Sequence, residues 1–136
     1  MGLLAAGDVN PEQWGEATRS FDFFDMKGDV ELLTELTRAP QLRFELGTHP
    51  ALHHGQSADL YDGKDCVGYI GVLHPSLLKK LGLRQAPVLL QLKLSVLAKY
   101  DLTQFEQVSK FPAVRRDLAL VVDEQISANQ ILMLIH

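Results

Sequence analysis

The residues best suited to chemistry are two adjacent arginines, Arg115 and Arg116, which stand directly in front of an apolar run. Lys110 and Phe111 lie just upstream and add a third cation and an aromatic surface for stacking. Arginine suits phosphate and base recognition because its planar guanidinium group donates two parallel hydrogen bonds. Lys110, Arg115 and Arg116 are therefore our candidate residues for nucleic-acid contact.

The charge distribution also points to the second half of the chain as the part that meets a polyanion. The net charge of −4 combines residues 1–65, with 5 Lys/Arg against 12 Asp/Glu, and residues 66–136, with 8 against 5. An acidic first half repels polyanions, so nucleic-acid contacts are expected from the second half. Two alternatives stay open. The charges are ordinary solvated surface, or the arginines form structural ion pairs, for example with Asp117 or Glu124.

Two histidines have a spacing that can present imidazoles to a metal ion. His49 and His53 lie four residues apart in "HPALHH". No glutamate follows the first histidine, and no third ligand stands nearby. Pro50 also favours an extended conformation at His49, which separates the two rings. We predict a turn with hydrogen-bonded or exposed histidines, His54 included, and no metal site.

The remaining reactive side chains indicate no catalytic centre. "DGKDCVGYIG" lacks the spacing of a phosphate-binding loop. Cys66 has no activating neighbour in the sequence and lies in an apolar run, which predicts a core or near-core thiol. No serine occupies a nucleophile elbow. Four carboxylates have the spacing of an exposed helix face: Asp22, Asp25, Asp29 and Glu31. We therefore predict no catalytic residues.

Length and composition predict one soluble domain. A chain of 136 residues is too short for two domains of ordinary size. Its 46% hydrophobic and 22% charged residues argue against disorder. No apolar run approaches the roughly 20 residues of a membrane span, and "MGLLAAG" lacks the features of a signal peptide. A single cysteine excludes an internal disulfide and a cysteine-rich zinc site. We expect a cytoplasmic protein without membrane contact.

The elements that must position these residues alternate between strands and helices in the first third. Leu3 to Ala6 is predicted to be a strand, and Asn10-Pro11 has the pattern of a helix start. The stretch "FDFFDMKGDVELLTELT" predicts a helix closed by Pro40, and "QLRFEL" a strand. The predicted inner face of that helix is Phe24, Val30, Leu33 and Leu36. The predicted inner face of that strand is Leu42, Phe44 and Leu46.

The middle of the chain is the easiest part to interpret. Asp62-Gly63 predicts a hairpin turn between two strands, because glycine accepts the positive φ that such turns need. Gly68 and Gly71 indicate close approach of a neighbouring element or a bulge. "HPSLLKKLGL" predicts a short helix that stops at Gly82. "VLLQLKL" predicts a strand with Leu90, Leu92 and Leu94 on one face, followed by a short helix capped by Ser95 and running to Tyr100.

The last third changes character. "DLTQFEQVSKFP" is polar and without a clear period, which is typical of a linker. Leu118 to Val122 is predicted to be a strand, and Ser127 and Gln130 form a capping box that starts a helix. One strand and one helix cannot bury a core of their own. We therefore expect the chain to be a piece of a longer polypeptide.

Four segments together resemble a known family. "FDFFDMKGDVELL", "HPALHHGQSADLY", "GYIGVLHPSLLKKLGL" and "FPAVRRDLALVVDEQISANQIL" occur in this order and spacing. In this they are similar to the beta subunit of bacterial phenylalanine–tRNA ligase (phenylalanyl-tRNA synthetase). The resemblance extends from Leu3 to the end of the chain and rests on the ordered set, since no single motif is decisive.

The resemblance implies an α+β fold in two parts. Residues 1–108 would be the C-terminal part of a catalytic-like but non-catalytic module, a class II aminoacyl-tRNA synthetase-like antiparallel sheet flanked by helices. Residues 109–136 would begin a ferredoxin-like anticodon-binding domain. Its first strand would be Asp117 to Val122, and its first helix would start after Ser127. Lys110, Arg115 and Arg116 would then be RNA-binding residues at the entrance to that domain.

The resemblance also implies partners and chemistry. The ligase attaches phenylalanine to its tRNA with ATP and Mg²⁺, and the alpha subunit performs this reaction in an α2β2 heterotetramer. This chain would be an inactive scaffold and subunit-interface module without a cofactor of its own. A free-standing RNA-binding module that acts through the basic second half is the alternative. A third possibility, an enzyme in its own right, requires an active site that the sequence does not reveal.

Overall fold

The computed structural model describes residues 1–99, 114–123, 125–126 and 128–135, with the backbone alone at residues 129 and 133. The chain divides into two compact units, Met1–Thr103 and Gln104–His136. The predicted polar linker and Lys110 lie outside the described residues. The predicted domain boundary between residues 108 and 109 stays a prediction.

A five-stranded antiparallel sheet forms the first unit. Each strand pairs antiparallel with its neighbours, and the spatial order is β1-β5-β4-β3-β2. The α+β prediction is confirmed at this level. The strands are β1 (Gly2–Ala5), β2 (Arg43–Leu46), β3 (Leu52–Asp62), β4 (Asp65–Leu73) and β5 (Val88–Leu92).

The hairpin between β3 and β4 has the predicted turn. Gly63 adopts a φ of +60°, and Asp62 pairs with Asp65 across the turn. Gly68 also has the predicted close neighbour, since a Cβ there would lie 2.1 Å from the backbone oxygen of Gln91. Only a residue without a side chain lets β4 and β5 approach this closely.

The prediction for Cys66 is wrong, and the register of β4 explains why. Tyr61 pairs with Cys66, whereas the preceding residue, Leu60, pairs with Gly68. Val67 is the extra residue of this irregularity, which has the form of a β-bulge. It is buried at 5% exposure. Cys66 is exposed as a result.

Asp22 caps the start of the long helix α1 (Phe23–Thr37), and Arg38 caps its end with a left-handed φ of 53°. Asp22 accepts hydrogen bonds from the backbone of Phe24 and Asp25, and Asp25 accepts one from the backbone of Asp22. This reciprocal capping satisfies donors that the first turn of a helix leaves unpaired. Arg19 donates two hydrogen bonds of 2.6 Å to Asp25 and lowers the pKa of that carboxyl to about 2.

The buried face of α1 differs from the predicted one. Val30 is buried as predicted and Leu33 is half-buried, but Phe24 and Leu36 are 74% and 73% exposed. Met26 and Thr34, which were not predicted, are the other buried residues. Thr34 tolerates burial because its hydroxyl donates a 2.8 Å hydrogen bond to the backbone oxygen of Glu31. The prediction failed because it counted apolar residues alone.

Helix α1 packs on one face of the sheet, against β4 and β5. Val96 of the short helix α3 (Leu94–Leu97) joins the same core. Leu60 and Ile70 are completely buried there. The other buried members are Met26, Val30, Leu42, Ala58, Val67, Val88, Leu90 and Leu92. We call this the covered face of the sheet.

Helix α2 (Pro75–Leu81) matches its prediction in place and end. His74 caps it by accepting a 3.2 Å hydrogen bond from the backbone of Ser76, and Gly82 ends it at a φ of +66°. The strand before α3 is confirmed at Leu90 and Leu92 but not at Leu94. Leu94 belongs to α3 and is 63% exposed.

Other local predictions are wrong. Residues 6–22 form turns and one isolated bridge, Asp8 to Ser20, instead of a helix from Asn10. The Asn10 amide donates to the Glu16 carboxylate, 3.0 Å away, and does not cap a helix. Leu46 does not share the burial of Leu42, since it is 77% exposed at the end of the sheet's edge strand. Lys93, not Ser95, precedes α3.

The second unit contains one helix among its described residues, α4 (Ala128–Ile135), at the place predicted. The strand predicted between residues 117 and 122 is absent, because residues 114–123 have no strand assignment. A strand requires a hydrogen-bonded neighbour, and the described part of this unit supplies none. Within the described residues, every helix is too short or too polar to cross a membrane.

Candidate functional site

The face of the sheet opposite α1 is the candidate site, and the strand register places its residues. Glu45 lies opposite Asp59, Asp59 opposite Tyr69, and Tyr69 opposite Gln91. Gln91 in turn lies opposite Gly2. Because side chains alternate along a strand, this row points away from the covered face. We call this surface the open face.

Tyr69 is held in place at the centre of the open face. Its hydroxyl donates a 2.6 Å hydrogen bond to the side-chain oxygen of Gln91. The ring of His49 stacks on the Tyr69 ring, with centroids 4.3 Å apart and planes 24° from parallel. His49 is fixed from the other side, because its Nδ1 accepts a 3.2 Å hydrogen bond from the backbone of Ala51. The two rings therefore form a rigid aromatic pair.

A shallow cleft of about 310 Å³ opens beside this pair. Leu4 and Leu89 supply aliphatic walls, while His49, Tyr69 and Gln91 supply polar edges. Leu4 is 66% exposed, although it is a large apolar residue on a regular strand. An apolar floor with a few fixed polar groups is suited to receive another apolar surface or a small molecule.

Charged residues occupy the β2 side of the open face. Arg43 donates a 2.8 Å hydrogen bond to Glu45 and lies 5.6 Å from the centre of the Tyr61 ring. Glu45 and Asp59 face each other directly, an arrangement of like charges that Arg43 partly neutralises. Desolvation is the main cause that raises the pKa of the Tyr61 hydroxyl, and the nearby carboxylates of Asp59 and Glu45 add to it.

This arrangement can bind and hydrogen-bond, but it assembles no catalytic set. Within the described residues, no three His, Cys, Asp or Glu side chains converge on a point that could hold a metal ion. His53 accepts a hydrogen bond from the backbone of Gly55, and His54 lies edge-on to His74 at 5.9 Å. The predicted turn is present at His49, and His49 and His53 are hydrogen-bonded as predicted, but His53 and His54 belong to strand β3 instead of the turn. The predicted absence of catalytic and metal-binding residues stays a prediction.

Of the predicted RNA-binding residues, the structure describes Arg115 and Arg116. Arg115 and Arg116 are both exposed, in a stretch without helix or strand. Lys110 lies outside the described residues, as does Glu124. Asp117 is described, and neither arginine forms an ion pair with it or with any other described residue. The role of these three residues stays a prediction.

Sequence reasoning missed the open face. His49, Tyr69 and Gln91 are far apart in sequence, and only the antiparallel register brings them into contact. One signal was available. Gln91 interrupts the apolar strand "VLLQL" at the position whose side chain points away from the core.

Comparisons with known proteins agree with one another. The model of the phenylalanyl-tRNA synthetase beta chain CLM domain matches residues 1–94. The phenylalanine–tRNA ligase beta subunit of Coxiella burnetii is 46% identical over 96% of this chain. Those of Shewanella oneidensis and Burkholderia pseudomallei are 42% and 48% identical over 100% and 93% of it.

The chain spans a small part of these relatives. The matched region is 17% of the C. burnetii and S. oneidensis subunits and 15% of the B. pseudomallei subunit. The family model nevertheless covers most of the chain, including all five strands of the sheet. The resemblance of the four sequence segments is confirmed, and the chain belongs to the family of phenylalanine–tRNA ligase beta subunits.

Proposed function

We propose that this chain is a non-catalytic scaffold and subunit-interface module of a phenylalanine–tRNA ligase. The ligase attaches phenylalanine to its tRNA with ATP and Mg²⁺, and the alpha subunit is the partner that performs this reaction in an α2β2 assembly. The family membership of the chain supports this role. The single structural observation that carries it is the open face.

The open face has the character of a surface that another protein covers. One face of the sheet is sealed by α1, whereas the other presents the exposed Leu4 and a cleft with apolar walls. Tyr69 and Gln91 are pre-oriented by their 2.6 Å hydrogen bond, so little side-chain entropy is lost on docking. Aromatic residues of this kind are enriched at the centres of protein interfaces.

The described residues do not fit ATP and Mg²⁺. Three or more acidic or histidine ligands do not converge at any point of the described chain. Arg43, which lies on the open face, is paired with Glu45 and lies beside Tyr61. In this proposal ATP and Mg²⁺ belong to the holoenzyme, and the isolated chain forms no aminoacyl adenylate.

The finer fold assignments belong to the same proposal. The antiparallel sheet with α1 on one face supports a class II synthetase-like module without its catalytic residues. Helix α4 supports a ferredoxin-like anticodon-binding domain that begins in residues 109–136. The missing strand at residues 117–122 leaves that second assignment supported by the helix alone.

Co-expression with the alpha subunit of a bacterial phenylalanine–tRNA ligase tests the scaffold role. Affinity capture of the chain followed by native mass determination should recover the alpha subunit. The double variant Leu4→Glu/Gln91→Glu places two carboxylates on the open face and should abolish capture. Leu81→Glu/Gln85→Glu makes the same two changes at exposed positions away from that face and should leave capture intact.

Three outcomes would contradict parts of this proposal. Capture that both double variants leave unchanged would show that the open face is not the interface. Absence of capture with both chains folded would overturn the proposal for these residues. Adenylate formation by the chain alone would overturn its non-catalytic character.

A second function, contact with tRNA through Lys110, Arg115 and Arg116, is favoured by the exposure of both arginines. Phosphate contacts would supply affinity without sequence information, and that affinity would fall steeply with salt. The variant Arg115→Gln/Arg116→Gln should weaken binding of tRNA for phenylalanine and reduce the salt slope by about two. Lys79→Gln/Lys80→Gln removes two adjacent exposed cations elsewhere and should have less effect. Equal effects of both pairs would indicate non-specific attraction.

A further inference from the structure

The outer face of α1, which points away from the sheet, carries an unpartnered apolar row. Phe24, Gly28, Leu32 and Leu36 recur every four residues, and they therefore lie side by side along the helix. The three large side chains are 74%, 52% and 73% exposed. We call these four residues the outer stripe. It spans about 18 Å of helix, the length of a helix–helix contact.

Gly28 makes a notch in the outer stripe. Glycine is the poorest helix former after proline, and here it occupies the middle of a 15-residue helix. Its backbone needs no glycine for space, because a Cβ at this position would meet no atom of the described residues within 4 Å. The missing side chain leaves a depression between Phe24 and Leu32. A depression flanked by two large side chains is the shape that receives a side chain of a second helix.

Carboxylates follow both sides of the outer stripe. Asp25 and Asp29 lie along one side, and Glu31 and Glu35 along the other. Arg19 pairs with Asp25, and Lys27 pairs with Glu31 at 2.9 Å. Neither Asp29 nor Glu35 forms an ion pair with any residue that the structure describes. As far as the described residues go, one negative charge on each flank therefore remains available to a partner.

We propose that the outer stripe is a docking site for a basic amphipathic α-helix of another protein or domain. The partner helix carries apolar side chains every three to four residues, with Lys or Arg on both sides. One apolar side chain enters the notch at Gly28, and the flanking cations meet Asp29 and Glu35. Packing of two such rows favours a crossing angle of about −50°. This site lies on α1 and is independent of the open face of the sheet.

The flanking charges decide between the possible occupants. A second copy of α1 would bring its own carboxylates against those of the first, which opposes pairing. An anionic lipid surface would be repelled for the same reason. A helix with cations on both flanks satisfies the apolar stripe and the charges together.

A designed helix is the probe. The peptide is about 20 residues long, capped at both ends, with a leucine row flanked by lysines on an alanine background. Its affinity for the 136-residue chain is measured by fluorescence anisotropy. Leu32→Glu should weaken binding at least about fivefold. Leu81→Glu, the same change at an exposed position of α2, should leave the affinity unchanged.

Gly28→Gln separates docking from folding. Glutamine is a better helix former than glycine and meets no neighbour at this position, so the thermal midpoint should rise. Its side chain fills the notch, and the peptide should bind at least about fivefold more weakly. A more stable protein that binds less well cannot be explained by misfolding.

A charge exchange tests the flanks. Asp29→Lys/Glu35→Lys should weaken binding of the lysine peptide and strengthen binding of an otherwise identical glutamate peptide. Glu12→Lys/Asp65→Lys changes the net charge equally at exposed positions outside α1 and should change both affinities less.

The proposal is overturned if Leu32→Glu and Leu81→Glu bind the lysine peptide equally, or if the lysine peptide does not bind at low salt. Self-association that Leu32→Glu abolishes would assign the outer stripe to a second copy instead. Because the alpha-subunit capture uses variants of the open face, failure of one proposal does not imply failure of the other.

Discussion

The two faces of the sheet are built from the same five strands and have opposite characters. The covered face is aliphatic and sealed, with Leu60 and Ile70 at 0% exposure. The open face carries the aromatic pair of His49 and Tyr69, the polar Gln91 and the exposed Leu4. Strand alternation separates the two sets of residues with almost no overlap.

This difference teaches where stability and recognition reside. Removing water from aliphatic side chains stabilises the fold, and the covered face does this almost completely. The open face leaves apolar area in water, which costs stability unless a partner covers it. Mutations on the two faces should therefore have effects of different kinds, and the following experiments measure that contrast.

The largest effect is expected on the covered face. Leu60→Ala removes three carbon atoms from a fully buried position and should lower the free energy of unfolding by about 2–5 kcal/mol. Leu4→Ala makes the same change on β1, where the side chain is 66% exposed, and should cost less than about 0.5 kcal/mol. Urea denaturation of both variants gives the comparison. Equal losses would mean that the open face contributes to the core after all.

Two glycines in β4 test whether the contrast extends to the backbone. A Cβ at Gly68 would meet the backbone of Gln91 at 2.1 Å, and one at Gly71 would meet Ser57 at 2.7 Å. These glycines occupy opposite faces, yet each substitution by alanine should cost about 1–3 kcal/mol through overpacking. Gly55→Ala is the control, since its Cβ would find only ordinary contacts of 3.6 Å or more. If Gly71→Ala lowers the thermal midpoint much less than Gly68→Ala does, the open face accommodates an added methyl group more easily than the covered face.

Local chemistry explains what the sequence could predict. The turn at Gly63 and the helix end at Gly82 both need positive φ, which only glycine adopts without strain, so sequence alone places them. The capping box at Ser127 and Gln130 predicted a helix that the structure shows from Ala128. In each case the determining residues are neighbours in the chain.

The failed predictions depend on contacts that are distant in sequence. Cys66 and Val67 exchange the expected positions because the register with β3 shifts between Leu60 and Tyr61. The buried face of α1 could not be deduced from apolar residues, because they occur on both sides of this helix. The open face could not be predicted from the sequence for a similar reason, since the contact of His49 with Tyr69 exists only in the folded protein.

Removal of the N-terminal cap of α1 should have an intermediate effect on stability, because the cap stabilises the helix that packs on the covered face. Asp22→Ala removes the hydrogen bonds that its carboxylate accepts from Phe24 and Asp25, and should lower the free energy of unfolding by about 0.5–2 kcal/mol. Asp29→Ala removes an exposed carboxylate from the same helix beyond its first turn and should change stability by less than about 0.5 kcal/mol. Circular dichroism during urea denaturation measures both. If Asp29→Ala lowers the free energy of unfolding as much as Asp22→Ala does, the cause is the removed charge and not the lost cap.

The smallest effect should be one that depends on pH. Arg19 holds the pKa of Asp25 at about 2, below the ordinary value of 3.8. Because the pKa in the folded state is depressed, the contribution to stability is complete above about pH 4 and is lost as the pH falls through 2. Asp25 is half-buried, but Arg19 is 56% exposed and open to solvent screening, so the gain is modest even at neutral pH.

Arg19→Gln should therefore lower the urea midpoint at about pH 6 and lose that deficit as the pH falls towards 2, since a protonated Asp25 no longer benefits from the guanidinium. Arg84→Gln, at an exposed arginine for which the described residues provide no ion pair, should follow the wild-type midpoint throughout. A deficit that persists undiminished in acid would mean that Arg19 stabilises α1 through packing. The packing of α1 on the covered face would then not depend on the charge of Asp25.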